Sequence, residues 1–148
     1  MEYRRTKDNI FLRIDRDEPI RQTIEQVCAK EGVRAAAVDG IGACDEITLS
    51  VYYPKENVYR PHVFKGTLEI VSLTGNVTTD EEGKPLSHIH LSFSYIDDDG
   101  RLAYTGGHLD EARISYTGEL VLHVADFPIR RQFEPVRQIK IWDFDGND

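Results

Sequence analysis

The sequence predicts an α+β fold, a mostly antiparallel β-sheet flanked by one main helix. Three observations predict it: one stretch with clear helical spacing, a series of segments whose apolar residues recur at every second position, and glycine, proline and aspartate clusters between those segments. At 148 residues the chain has one domain's length, and 40% hydrophobic with 30% charged residues is a globular composition. Residues 1–148 are therefore read as one domain, with its core over about 9–124 and a segment, 125–148, that shows no clear pattern.

The first strand is Asn9 to Ile14, with Ile10, Leu12 and Ile14 alternating. Asp17 is then expected as an N-cap with Pro19 in the first turn, where a missing N–H is harmless. Ile20, Ile24, Val27 and Cys28 follow on one helical face, and Gly32 closes the helix. Val33 to Val38 reads as a short strand ending in a tight turn at Gly40-Ile41-Gly42. Glu46 to Tyr53 alternates, Pro54 to Asn57 turns, and Val58 to Phe64 returns. Thr67 to Leu73 is a further strand, followed by a loop that takes in Gly75-Asn76 and the polar run Asp80 to Pro85. Leu86 to Ile96 is the longest strand, and Asp97-Asp98-Asp99-Gly100 is a strong turn signal. Arg101 to Tyr104 is a short strand before Gly106-Gly107, and Glu119 to Val124 is the last alternating run.

Composition narrows the function classes. No apolar run approaches the roughly 20 residues of a membrane helix. Met1 to Arg16 lacks the pattern of a secretory leader, so a cytoplasmic location is expected. Cys28 and Cys44 are read as reduced, buried, small hydrophobes. The formal charge of −8 comes from 18 basic and 26 acidic residues, and the basic ones are scattered. An acidic tail of Asp143, Asp145 and Asp148 adds to the charge that opposes phosphate contact.

Of five histidines, three form a pattern. In Ser87-His88-Ile89-His90-Leu91-Ser92 the strand period of two points His88 and His90 to one face and Ile89, Leu91 and Phe93 to the other. Their bases stand about 7 Å apart, close enough for both rings to reach one ion at about 2.0–2.1 Å. The turn at Asp97 to Gly100 brings His108 back alongside, with Gly106-Gly107 expected to swing it inward. The three imidazoles make a candidate divalent-metal site; His62 and His123 have no such company.

The stretches Arg34-Ala-Ala-Ala-Val-Asp-Gly-Ile-Gly-Ala43, Gly66-Thr-Leu-Glu-Ile-Val-Ser-Leu-Thr-Gly-Asn76, His88-Ile-His90 and Gly106-Gly-His-Leu109 occur in an order that resembles the PPC domain (plants and prokaryotes conserved). The likeness runs from about Phe11 to Val124. It implies a homotrimer, a fold shared broadly with acetolactate decarboxylase, and a metal, usually zinc, on His88, His90 and His108. Glu69 matches a glutamate of the family's motif, which leaves it either a metal ligand or general base, or an exposed strand residue or intersubunit ion pair. Plant members bind AT-rich DNA through a separate Arg-Gly-Arg-Pro arm that this sequence lacks.

Three functions follow as expectations. The first is a ligand- or partner-binding module built around a three-histidine zinc-type site, with a small molecule at the metal. The second is a metal-dependent hydrolase or lyase acting on a small oxyacid. DNA binding, the activity by which the family is often labelled, is third, opposed by the charge of −8.

Overall fold

The computed structural model describes residues 1–136 and 139–144; Asp145 and Asp148 of the acidic tail lie outside the described residues. In chain order the elements are β1 (Glu2–Arg5), β2 (Asn9–Ile14), α1 (Ile20–Glu31), β3 (Ala36–Tyr53), β4 (Val58–Thr79), β5 (Pro85–Ile96), β6 (Leu102–Val124), β7 (Arg130–Glu134) and β8 (Ile139–Asp143). The predicted class holds, a largely antiparallel sheet with one helix.

Four long strands close on themselves. β3 pairs with β4, β4 with β5, β5 with β6, and β6 again with β3, all antiparallel. β2 extends the sheet from β6 and β1 extends it from β2. The C-terminal segment, unread in the sequence, forms the β7–β8 hairpin and joins β4 through one parallel bridge between Thr79 and Arg130.

The core follows the alternation. Ile10, Leu12 and Ile14 are buried on β2, and Ile89, Leu91 and Phe93 on β5. They meet Ile20, Ile24, Val27 and Cys28 from α1, which packs against β5 and β6. Removing these side chains from water is the main favourable term in forming the fold. Both cysteines are free and buried, and burial pushes each thiol up to about 12, so neither is a reactive thiolate.

Several predicted breaks are instead continuous strand. Gly40-Ile41-Gly42 is no turn: it lies inside β3 at a register shift. A Cβ on Gly40 or Gly42 would stand 2.7 or 2.6 Å from a carbonyl oxygen of β6, so close strand approach explains these glycines. Gly75-Asn76 belongs to β4, pairing with Ile89 and His88. Gly106-Gly107 likewise lies within β6, opposite Ser92 and Leu91.

The helix start also differs from expectation. Asp17 does not cap α1; it has φ 68° and its N–H donates to Ile114 O. The N-cap is Pro19, which has no capping side chain. The Glu111 carboxylate on β6 takes that place, accepting from the N–H groups of Arg21 at 2.9 Å and Gln22 at 3.3 Å. At the other end Gly32 adopts φ 65° and closes the helix as predicted.

Candidate metal centre

His88 and His90 share one face of β5, opposite the core face, because strand residues alternate. His90 pairs directly with His108 across the β5–β6 ladder, and His108 also pairs with Ser50 of β3. The three rings meet with centroids 5.3, 5.1 and 5.4 Å apart. One nitrogen from each lies within 4.8 Å of the others. The sequence foresaw the hairpin return that brings His108 alongside, but Gly106-Gly107 is strand and not a turn that swings the ring inward. Register brings His108 in, and Gly106 lets β6 approach β5 closely enough to hold it: a Cβ there would sit 2.5 Å from Leu91 O.

The helix fixes the flanks of this cluster. Glu25 accepts from the Ser87 N–H at 3.0 Å and the Ser87 hydroxyl at 2.6 Å, one residue before His88. Arg21 donates to Ser87 Oγ at 3.1 Å and to Asp110 O at 2.8 Å, so one guanidinium ties together the strands carrying His88 and His108. Asp110 accepts in turn from the Ser50 hydroxyl at 2.7 Å.

Burial favours the neutral form of two of the rings, His88 and His108. The His88 imidazole is pushed down to about 4, first by desolvation, then by the nearby Arg131 charge and the neighbouring imidazoles. His108 is lowered from the ordinary histidine value by desolvation and by His90, with Asp110 opposing. Neutral rings keep the lone pairs a metal needs.

Three imidazoles suit zinc, whose tetrahedral geometry at 2.0–2.1 Å sets ligand nitrogens about 3.3 Å apart. The residues present fit such an ion.

A pocket of about 720 Å³ opens over the cluster. Arg21, Arg131 and the three histidines form its polar end, and Val51, Tyr52, Tyr59, Leu86 and Ile139 its apolar wall. Sequence reading missed Arg131, for which proximity to the histidines along the chain gave no signal. It stands on β7, and its Nη2 lies 3.2 Å from His88 Nδ1. Burial lowers its pKa from the ordinary arginine value.

Glu69 is not brought to the histidines. It is exposed on β4, pairs with Ala43 and Ser94, and lines a smaller cleft with Ile41, Tyr116 and Glu119. His62 stacks on Tyr53, and His123 bonds Asn9.

Comparison with known proteins bears on the fold and the site. The model of the Plants and Prokaryotes Conserved (PCC) domain matches residues 1–126. No curated protein matches the sequence. Among solved structures, a conjectured DNA-binding protein from Bacteroides thetaiotaomicron is 26% identical, with a TM-score of 0.87 over 97% of each chain. A metal-containing protein from Archaeoglobus fulgidus is 28% identical, with a TM-score of 0.78 over 96% of each chain. A plant- and prokaryote-conserved (PPC) protein from Pyrococcus horikoshii is 25% identical, with a TM-score of 0.77 over 96% of this chain and 93% of that one. α-Acetolactate decarboxylase from Bacillus subtilis shares the fold alone, at 13% identity and a TM-score of 0.51 over 78% of this chain and 51% of that one. Among the described residues, no helix is long and apolar enough to cross a membrane.

Proposed function

Because the chain belongs to the Plants and Prokaryotes Conserved (PCC) domain family, abbreviated PPC above, we propose that it is a metal-binding module in which His88, His90 and His108 hold one divalent ion, zinc by preference, at the floor of a small-molecule pocket. The observation that carries this is the meeting of one nitrogen from each ring within 4.8 Å, on adjacent strands whose register fixes them. Three neutral ligands leave an ion its full charge and an open position, where it would polarise an oxygen donor of a ligand. The metal content of the Archaeoglobus relative is consistent with this reading.

Binding is favoured over catalysis by a hydrolase or lyase. Among the described residues that line the pocket there is no carboxylate to serve as acid or base, and Glu69 lies in another cleft. DNA binding rests on the conjectural description of the Bacteroides relative. Here a net charge of −8 opposes phosphate contact, and Arg21 and Arg131 turn into the pocket.

The working unit is a homotrimer in the same proposal. Ile41, Val71 and Tyr116 are 57%, 52% and 74% exposed, apolar surface that another copy would cover.

Elemental analysis of the purified chain tests the metal. About one zinc per chain is expected, falling toward none when His88, His90 and His108 are all replaced by alanine. Equal metal content in the two proteins would overturn the proposal.

A further inference from the structure

Arg131 is a charge almost withdrawn from water, with 7% of its surface exposed. Its Nε donates to Thr78 Oγ1 at 3.0 Å, its Nη1 to Lys140 O at 3.0 Å and its Nη2 to Asn76 Oδ1 at 2.8 Å. These acceptors are neutral, and among the described residues no carboxylate forms an ion pair with it. A buried guanidinium without a counter-ion is unfavourable unless an anion reaches it. The pocket gives such an anion access.

The remaining contact, from Nη2 to His88 Nδ1, cannot persist as a hydrogen bond once His88 binds a metal. In a neutral ligating imidazole, one ring nitrogen bonds the ion and the other carries the proton. Nδ1 has no lone pair for Arg131 in either case. Once His88 ligates, Arg131 therefore has an N–H without an acceptor, in a pocket that has gained positive charge.

We propose that the pocket takes a small amphiphilic carboxylate, its carboxylate held by Arg131 beside the three histidines and its apolar part along Tyr52 and Tyr59. This rests on the metal-binding reading above and names the ligand class. The two tyrosine rings, 5.1 Å apart and 45% and 57% exposed, offer an aromatic wall without an assigned role. A volume of about 720 Å³ suits a small molecule. A carboxylate, with a single charge, matches the one N–H that Arg131 frees better than a phosphate dianion does. Arg21 is committed to Ser87, Asp110 and Glu25, which leaves Arg131 as the pocket's guanidinium for the head group, with Lys140 the other cation of the lining.

The test uses the zinc-loaded full chain and calorimetric titration with matched pairs: benzoate and benzamide, phenylacetate and phenylacetamide, 4-methylvalerate and its amide. Inorganic phosphate is a separate arm. One or more acids should bind about tenfold more tightly than the matching amide, as a charge-assisted hydrogen bond predicts. Arg131→Gln should abolish that preference, and Arg131→Lys should restore part of it. Equal binding of acids and amides, no binding by any acid, or phosphate binding more tightly than every acid overturns the proposal. If Arg131→Gln does not fold, Arg131→Lys decides: a preference for acids as strong as in the unaltered chain would overturn Arg131 as the group that holds the carboxylate. Zinc content is measured in each sample: its absence from the unaltered chain defeats the metal reading, whereas zinc without a preference for acids defeats the carboxylate alone.

Discussion

His90 lies directly across the β5–β6 ladder from His108, with the ring centroids 5.4 Å apart. Side chains alternate along each strand, so a slip of one residue would turn His108 to the core face while leaving His88 and His90 in place. The cluster is thus a property of register, and whatever fixes the β5–β6 register fixes the site.

Gly106 and Gly107 separate that effect from general stability. A methyl group on Gly106 would sit 2.5 Å from Leu91 O and 2.9 Å from Ser92 Cα, whereas one on Gly107 meets Leu49 at an ordinary 3.6 Å. Gly106→Ala should therefore force β6 away from β5 and cost about 1–3 kcal/mol, the usual range for overpacking. Gly107→Ala should change stability far less. Urea unfolding measures both, and zinc titration should show weakened binding in Gly106→Ala. Equal behaviour of the two variants would contradict close approach as the reason for the glycine.

Acidification should destabilise the metal-free protein through His88 and His108. An imidazole in the unfolded chain takes up its proton near pH 6.5, while the buried His88 does so only near 4, and His108 is lowered in the same direction. Between those limits the unfolded state binds more protons than the folded one, so stability present above 6.5 is lost as the pH falls toward 4. Urea midpoints of EDTA-treated protein at several pH values check this, and His88→Gln should flatten the dependence. A midpoint that rises on acidification, or a slope unchanged in His88→Gln, would contradict it.

Glu111 supplies a cap that α1 lacks locally. Its carboxylate accepts from the Arg21 and Gln22 N–H groups and also from the Ala112 N–H at 2.9 Å. Glu111→Ala should lower stability by about 1–2 kcal/mol, the upper part of the range for losing an N-cap. Asp17→Ala, at the position expected from sequence to cap the helix, should lack this capping loss, because the Asp17 side chain is not the cap. Thermal melts of the two variants distinguish them.

The contrast between Asp17 and Glu111 shows what the sequence carried. Periodicity exposed the buried faces of β2, α1 and β5 and the paired orientation of His88 and His90, because those depend on neighbours in the chain. The Asp97 to Gly100 turn was equally legible, and it placed His108 opposite β5. Features made by distant partners were not. Glycines at 40, 42, 75 and 106 looked like punctuation because their role, room for a neighbouring strand, appears only once β3 to β6 are paired. Arg131 and the β7–β8 hairpin escaped notice for the same reason: the hairpin joins the sheet by one bridge, and the Arg131 side chain finds Asn76, Thr78 and His88 far back in sequence.

Ile41 provides the test of assembly. It lies between Gly40 and Gly42 on β3 and shares a shallow cleft with Tyr116, Glu69 and Glu119. With 57% of its surface exposed in the single chain, Ile41→Asp should leave the fold intact, since surface substitutions change stability by about 0.5 kcal/mol or less. In a trimer that covers this face, the same change would bury a carboxylate near Glu69 and Glu119, and like charges withdrawn from water repel strongly. Light scattering should therefore report three chains for the unaltered protein and one for Ile41→Asp, with an unaltered monomer urea midpoint as the control for folding. Three chains in both would remove Ile41 from the interface, and a monomer in both would overturn the homotrimer.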